Sequence, residues 1–182
     1  MSTHKSRPNI IPVLRGDVQV SRDTVLAADI STCVSVCLFH GPSGFGGMTH
    51  ISRARSSTPL KSVLPDDGFH YADDAIPALM ELFRKQVPRV APRDLSIMIA
   101  GGLDGDPPLS ETLEELGLKL IDGITLRTRA DSRYRFKLKG WDINGHYYRK
   151  VTLLPFERRV YVEKYRPFKR GAPGKETSEY IL

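Results

Sequence analysis

The chain has 182 residues, of which 40% are hydrophobic and 26% charged, and this composition excludes a disordered or collagen-like chain. No apolar run is long enough to span a bilayer as a helix, and the polar first residues lack the apolar core of a signal peptide. We therefore expect a cytoplasmic protein without membrane insertion. The net charge of +6 favours an acidic partner, whether protein, nucleic acid or membrane surface.

The two ends of the chain are predicted to be loose. Residues 1–12 are expected to form a flexible arm, and residues 166–182, which contain several prolines and glycines, a mobile basic tail. Residues 13–165 then form a single domain that is long enough to bury a core.

The segment around Cys33 has the pattern of a β-hairpin. Cys33–Phe39 is a largely apolar run of strand length, Gly41–Gly47 is a glycine-rich turn, and Met48–Ile51 has the pattern of a returning strand. An antiparallel return would bring His50 back towards Cys33. An imidazole in contact with a thiol takes its proton and makes a nucleophile, so this pair is a candidate catalytic site.

The chain has two cysteines, Cys33 and Cys37. If both lie in one strand they are about 13 Å apart, whereas a disulfide requires Cα atoms within about 7 Å. We therefore expect free thiols in a reducing compartment, no metal site and no cofactor. A plainer interpretation exists for each residue alone, since a free cysteine is usually a packed core residue and a lone histidine is usually structural.

The first long helix is predicted after a polar surface loop over residues 53–65. Residues 73–87 carry an apolar stripe at helical spacing, which indicates a helix packed on a sheet. Asp73 or Asp74 is expected to be the N-cap, and Pro77 then falls in the first turn, where its missing N–H costs little.

Strands and a short helix are predicted to follow. Leu95–Ala100 is apolar almost throughout, as in a central strand buried on both faces. Ser110 or Pro108 opens a short helix that runs through Leu116, and Leu118–Ile121 starts another strand.

Residues 124–139 alternate cations with apolar side chains, a period of two that indicates strands. A three-residue turn at Asp131–Arg133 would give a hairpin with one basic and one apolar face, and with Arg129 opposite Arg135. A solvated outer face is the plainer interpretation, and a docking surface for an acidic partner is the functional one. The cations of this candidate partner-binding face are Arg127, Arg129, Arg135, Lys137 and Lys139.

A second hairpin is predicted from Trp141–Leu154 and Arg159–Lys164, joined through Pro155–Arg158. Taken together, the elements indicate a mixed, layered α/β fold with largely antiparallel or mixed β-sheets and two or three helices packed on them.

The motifs and their order resemble the chemoreceptor glutamine deamidase family, known as CheD. Ser31–Leu38 resembles the family's G-S-C-V run, Gly46–His50 resembles its G-G-x-x-H motif, and His50 follows Cys33 at the family's spacing. Three further segments are similar to family motifs. They are Phe69–Ala75, which resembles a helix start, Ile97–Gly102, which resembles a strand ending in a glycine pair, and Asp142–Gly145 with Arg149–Val151, which resembles a D-V-G-G…R-K-V hairpin.

This resemblance implies a deamidase sandwich fold and a cysteine-dependent protein glutamine deamidase. Cys33 would supply the thiolate and His50 the acid and base for converting glutamine to glutamate and ammonia. The implied substrates are the cytoplasmic helices of chemoreceptors, and members of the family also bind a CheC-type phosphatase.

The chain departs from the family at its third catalytic residue. The family has a threonine at the sixth position before the cysteine, and this chain has Ala27 there. Thr32 and Ser31 adjoin Cys33 and are candidates to support the pair instead. A second departure is the short connection over residues 103–108, where the family usually has a longer stretch.

Two other functions stay open at this point. A catalytically weak binding or regulatory module on the same scaffold would explain Ala27. Nucleic-acid binding through the basic face is disfavoured, because Tyr134 and Phe136 fall on the opposite face in the predicted hairpin and could not stack bases beside the cations.

Overall fold

A computed structural model of the protein describes residues 9–53, 68–103, 105–122, 125–165 and 174–182. Two five-stranded sheets pack face to face, and two helices cover the outer face of one of them. In chain order the elements are β1 (Ile10–Pro12), β2 (Val18–Ser21), β3 (Val25–Ile30), β4 (Val34–His40), β5 (Phe45–Ile51), α1 (Ala72–Gln86), β6 (Leu95–Gly101), α2 (Pro107–Glu115), β7 (Leu118–Ile121), β8 (Thr125–Thr128), β9 (Lys137–Ile143), β10 (Tyr148–Leu154), β11 (Arg159–Tyr165) and β12 (Lys175–Ile181).

The strand order confirms the predicted mixed, layered α/β architecture. One sheet has the order β1-β3-β10-β11-β12 and the other β2-β5-β4-β6-β9, while β7 and β8 form a separate two-stranded ribbon. The β1–β3 and β6–β9 pairs are parallel, and the other described pairs are antiparallel.

Strand β4 contributes side chains to two hydrophobic cores, one on each face of its sheet. Val34, Val36 and Leu38 point to the helices, whereas Cys37 and Phe39 point into the space between the two sheets. Because side chains alternate along a strand, a strand buried on both faces must be apolar at nearly every position. The same reasoning, applied to residues 95–100, predicted a central strand, and β6 confirms it.

Helix α1 confirms the predicted apolar stripe but starts differently from the expectation. Its N-cap is Tyr71, and Asp74 occupies the third helical position, where its carboxylate accepts the Tyr71 N–H at 3.1 Å. The prediction that Asp73 or Asp74 is the N-cap is therefore wrong. A carboxylate at the third helical position can accept the backbone N–H of the N-cap residue, so an acidic residue near a helix start need not be the N-cap itself. As a result Pro77 lies beyond the first turn, inside the helix.

The hairpin predicted over residues 124–139 does not form. Strand β8 pairs with β7, and β9 lies parallel to β6 at a sheet edge, so Arg129 does not face Arg135. Instead the Arg129 guanidinium binds the Asp131 carboxylate at 3.1 Å. The alternation of residue types was interpreted correctly as strands. Alternation alone does not specify which strand is the partner. The rings of Tyr134 and Phe136 are buried, with centroids 5.2 Å apart, and they lie in the connection between β8 and β9, which belong to different sheets.

The Asp142–Val151 hairpin implied by the resemblance is also wrong. Strand β9 belongs to one sheet and β10 to the other, so residues 144–147 cross between the layers. The predicted hairpin that follows is confirmed for Tyr148–Leu154, which pairs with β11 from Leu154↔Arg159 onward, but its first arm does not extend back to Trp141, which lies in β9.

Both ends of the described chain are more ordered than predicted. Ile10–Pro12 pairs in parallel with β3, and Lys175–Ile181 pairs along the whole of β11. The prediction of a mobile tail is therefore wrong for these seven C-terminal residues. The prolines and glycines on which it was based all lie in residues 167–174, and β12 contains none. Residues 1–8, most of the predicted surface loop (54–67) and residues 166–173 lie outside the described part.

Candidate functional site

Cys33 and His50 lie on the same face of the same sheet. Cys33 immediately precedes β4, and His50 in β5 is directly opposite Ser35, two residues further along β4. Residues opposite each other in an antiparallel pair, and those two positions along, share a face. The hairpin therefore brings the two groups to the space between the sheets, where Cys33 is 4% exposed and His50 3% exposed.

His50 is held by the loop of residues 13–17 through three hydrogen bonds. Its ring Nδ1 lies 3.0 Å from the carbonyl oxygen of Val13. Its backbone N–H donates to Asp17 O at 3.1 Å, and its carbonyl accepts the Gly16 N–H at 2.9 Å. Because a carbonyl can only accept, Nδ1 carries the ring proton and Nε2 presents a lone pair. Nε2 is buried and has no hydrogen-bond partner among the described residues.

Ala27 contributes to this support through its backbone. The Ala27 carbonyl accepts the Val13 N–H at 2.7 Å, and Val13 in turn orients His50. The Ala27 side chain lies on the outer face of β3, since Leu26 and Ala28 on either side point into the core between the sheets. A hydroxyl at position 27 would therefore face away from His50 in this fold.

Ser31 and Thr32 do not join the pair. Both side chains are exposed, and neither forms a hydrogen bond to His50 in the described part of the chain. The contact to His50 predicted for them is made instead by the Val13 carbonyl. Sequence reasoning missed this contact because a backbone acceptor has no residue-type signature.

Burial sets the protonation of the resting pair. Desolvation raises the pKa of the Cys33 thiol, and the nearby Arg15 charge offsets this only in part. Desolvation also lowers the pKa of His50, against the opposing effects of the Val13 carbonyl and of Asp17 and Asp29. At neutral pH the two resting groups are therefore a neutral thiol and a neutral imidazole. Among the described residues no hydrogen bond joins the Cys33 sulfur to the His50 ring, so the two groups must approach each other before the thiol proton can move to Nε2.

Two consecutive glycines, Gly101 and Gly102, contact the backbone of Cys33. The Cys33 carbonyl accepts the Gly102 N–H at 2.9 Å. Gly101 has φ +95°, and a Cβ placed there would lie 2.2 Å from the Cys33 carbonyl oxygen. Only glycine fits this position, because it tolerates the positive φ and leaves room for the carbonyl.

A buried ionic network continues this support. The Asn144 N–H donates to Gly102 O at 3.1 Å, and the carbonyl of Asn144 accepts a hydrogen bond from Arg149 Nη2. Arg149, 1% exposed, also binds the Asp142 carboxylate at 3.0 Å, and Lys164 binds the other oxygen of that carboxylate at 3.1 Å. Asp142, Asn144 and Arg149 lie in the segment that resembles the D-V-G-G…R-K-V motif, but the resemblance implied a hairpin there and not a connection between two sheets.

Two described cavities lie away from the pair. One of about 500 Å³ lies between α2 and β7, and one of about 320 Å³ is lined by Asp142, Lys164 and Tyr180. Neither is lined by Cys33 or His50. Because Cys33 is only 4% exposed, a side-chain amide would reach its thiol only after the surface above it opens.

The predicted partner-binding cations are all exposed but do not share one strand face. Arg127 is on β8, Arg129 and Arg135 lie in the connection, and Lys137 and Lys139 are on β9.

Comparisons with known proteins give two distant relatives. A protein named "Probable chemoreceptor glutamine deamidase CheD" from Hahella chejuensis is 23% identical over 153 residues, which cover 84% of this chain and 68% of that protein. A protein of the same name from Burkholderia vietnamiensis is 28% identical over 177 residues, which cover 90% of this chain and 63% of that protein. No family model matches the chain. The chain is thus distantly similar to proteins named as chemoreceptor glutamine deamidases, and it spans about two thirds of their length.

Solved structures show only partial similarity. YlmD from Geobacillus stearothermophilus has a TM-score of 0.32 and 17% identity, over 48% of this chain and 27% of that one. The hypothetical protein YfiH from Bacillus licheniformis has a TM-score of 0.33 and 16% identity, over 62% of this chain and 42% of that one.

In the described part of the chain, no helix is long and apolar enough to cross a membrane.

Proposed function

We propose that the protein is a cysteine-dependent glutamine deamidase that acts on chemoreceptor proteins, with Cys33 as nucleophile and His50 as acid and base. The observation that carries this proposal is the state of His50. Its Nδ1 is fixed by Val13, while its Nε2 is buried without a described partner on the face that also holds Cys33. The distant relatives named as chemoreceptor glutamine deamidases support the substrate class.

The reaction begins with transfer of the Cys33 proton to His50 Nε2. The thiolate then attacks the carbon of the glutamine carboxamide and forms a tetrahedral intermediate. We expect the backbone N–H of Cys33 to donate to the developing oxyanion. As the C–N bond breaks, Nε2–H supplies the proton that the ammonia leaves with, and a thioester remains on Cys33.

Water completes the cycle. His50, neutral again, accepts a proton from water while the oxygen attacks the thioester carbon. The C–S bond breaks, glutamate leaves, and the proton returns to the sulfur. In sum, one glutamine and one water give one glutamate and one ammonia, without oxidation or reduction.

The bond from Nδ1 to Val13 also stabilises the charged imidazole that forms during the reaction. An orienting acceptor of this kind fixes the tautomer and holds the ring in place. The backbone carbonyl therefore provides what a threonine hydroxyl provides in the family that the chain resembles. The substitution at Ala27 does not by itself imply an inactive enzyme.

The depth of the pair implies that substrate binding opens the site. A thiol with a raised pKa and 4% exposure reacts slowly with reagents in solution. We expect the receptor helix to displace the surface above Cys33 and to bring the amide in with it. We also propose that the protein is cytoplasmic and that it binds a CheC-type phosphatase.

A second candidate function is a binding or regulatory module without catalysis. The observation that favours it is the same burial, together with the raised pKa of the thiol. A module of this kind would bind its partner equally well with or without the sulfur of Cys33.

Mass spectrometry of a chemoreceptor cytoplasmic fragment tests the two candidates. We expect incubation with the protein to add about one mass unit for each glutamine converted, from acyl transfer to water. Cys33→Ser should abolish the gain, and the matched control Cys37→Ser should keep it, because Cys37 is fully buried and burial raises its pKa to about 12. Receptor binding without any mass gain would favour the module, and equal conversion by Cys33→Ser would exclude the proposed mechanism.

A further inference from the structure

The β7–β8 ribbon has an open edge. It belongs to neither five-stranded sheet, and in the described part of the chain β7 pairs only with β8. No described backbone hydrogen bond uses the other side of residues 118–121. An unpaired strand edge is a ready template for another strand.

The ladder fixes which groups this edge presents. The Arg129 N–H donates to Gly117 O at 2.7 Å, and the register continues with Leu118 opposite Thr128 and Lys119 opposite Arg127. Hydrogen-bonded and non-hydrogen-bonded pairs alternate in an antiparallel ladder. The residues whose N–H and C=O groups point away from β8 are therefore Leu118 and Leu120.

A groove of about 500 Å³ lies along this edge, with α2 as its other wall. Leu109 and Leu113 of α2 line it opposite Leu118 and Leu120 of β7. Its volume lies in the range of pockets that bind ligands, about 300 to 1,000 Å³. Leu109, Leu113 and Leu118 are themselves buried, Leu120 is partly exposed, and the exposed α2 residues of the lining are Ser110 and Glu114. A groove with an unpaired strand edge on one wall suits an extended peptide that adds a strand.

The charge at the groove selects the kind of peptide. Lys119 lines it and lies opposite Arg127, both exposed, and neither forms an ion pair with a described residue. Arg129 also lines it but is already bound to Asp131, and Glu114 is the one carboxylate among the described lining residues. Two free cations at the rim, in a chain with a net charge of +6, favour an acidic segment.

We propose that the groove between β7 and α2 binds an extended acidic segment of a partner protein, which pairs as a strand with β7. Apolar side chains of the segment contact the exposed part of Leu120, and its carboxylates contact Lys119 and Arg127. The groove is separate from Cys33 and His50, so the proposal stands independently of the deamidase activity.

Fluorescence anisotropy with the full chain tests this proposal. The probe is a fluorescein-labelled heptapeptide in which glutamate and valine alternate. Leu120→Pro removes an outward N–H, which a strand edge tolerates, and should weaken binding at least about tenfold. Lys119→Glu should weaken it at least about fivefold. The matched control is Arg93→Glu, which reverses an exposed charge just before β6, outside the groove. Its affinity for the peptide should stay within about twofold of that of the unchanged protein.

A change to the peptide covers the case in which Leu120→Pro does not fold. The same heptapeptide, N-methylated at alternate residues, keeps its side chains and charge but cannot pair with a strand, and we expect its binding to fall at least about tenfold. Equal binding of the methylated peptide, or no binding of the parent peptide at millimolar concentration, would overturn the proposal. Tighter binding of a single-stranded oligonucleotide, lost in Lys119→Glu, would assign the surface to nucleic acid instead.

Discussion

The two members of the proposed catalytic pair are supported in different ways. His50 is bound three times by one short loop, residues 13–17, entirely through backbone groups of that loop. Cys33 is supported by a single carbonyl bond to Gly102, which depends on Asn144, Arg149 and Asp142 from a distant part of the chain. We therefore expect His50 to tolerate changes of side chain around it, whereas Cys33, the proposed nucleophile, depends on particular residues that lie far away in the sequence.

The largest effect is expected on the cysteine side, from Gly101→Ala. The added Cβ would lie 2.2 Å from the Cys33 carbonyl, and the residue has φ +95°. We expect a loss of at least about 3 kcal/mol in the free energy of unfolding, measured by urea denaturation. Gly105→Ala is the matched control, since Gly105 has φ +79° but open space around its Cβ, so it should lose only about 1 kcal/mol. Equal losses in the two variants would show that the clash with Cys33 does not exist.

Arg149→Lys should separate the support of Cys33 from global stability. Lysine keeps the charge beside Asp142 but cannot also bind the Asn144 carbonyl, so the turn that holds Cys33 should loosen. We expect deamidation to slow by about tenfold or more, together with faster alkylation of Cys33 by iodoacetamide. Lys164→Met also removes a bond to Asp142 but leaves Arg149 in place. If both variants change alkylation equally, the network only stabilises the fold.

The histidine side should appear in the dependence of stability on pH. Burial lowers the pKa of His50 below its ordinary value, so on acidification the unfolded chain binds a proton before the folded one does. His50 should therefore make the free energy of unfolding fall as the pH drops through about 6.5, the ordinary histidine pKa. The fall should stop below the folded pKa. His50→Gln should flatten this part of the profile in urea denaturation, and an unchanged profile would mean that His50 is not buried in neutral form.

The smallest effect is expected from Ala27→Thr. The side chain at position 27 points away from the core, and Nδ1 of His50 is already bound to Val13. Deamidation of a receptor fragment should stay within about twofold of the unchanged protein. A gain of tenfold or more would show that the threonine hydroxyl reaches His50, and that the Val13 carbonyl is an inadequate substitute.

The same contrast explains which parts of the molecule could be predicted from sequence. The Cys33–His50 hairpin was predictable because its strands are adjacent and joined by a glycine-rich turn. Helix α1 and strand β6 were predictable because each carries a periodic or continuous apolar pattern. The position of β9 was not, because alternation in residues 137–143 identifies a strand without identifying β6 as its partner.

The support of the site was less predictable than the pair itself. Cys33 and His50 were identified from residue type and spacing, and the fold places them on one face. The Val13 carbonyl leaves no mark in the sequence, because any residue supplies one. Arg149 and Asp142 were noted as part of a motif, but their contact with the Cys33 turn depends on a crossover between sheets that local pattern cannot show.

Trapping the covalent intermediate tests the central claim most directly. A short receptor peptide containing the target glutamine should be mixed with excess protein and quenched in acid, and the digest analysed by mass spectrometry. We expect the peptide, less about 17 mass units for the lost ammonia, joined to the fragment that contains Cys33. We expect it to be absent with Cys33→Ser. Conversion of glutamine to glutamate with no adduct on Cys33, or with an adduct on another residue, would contradict the proposed mechanism.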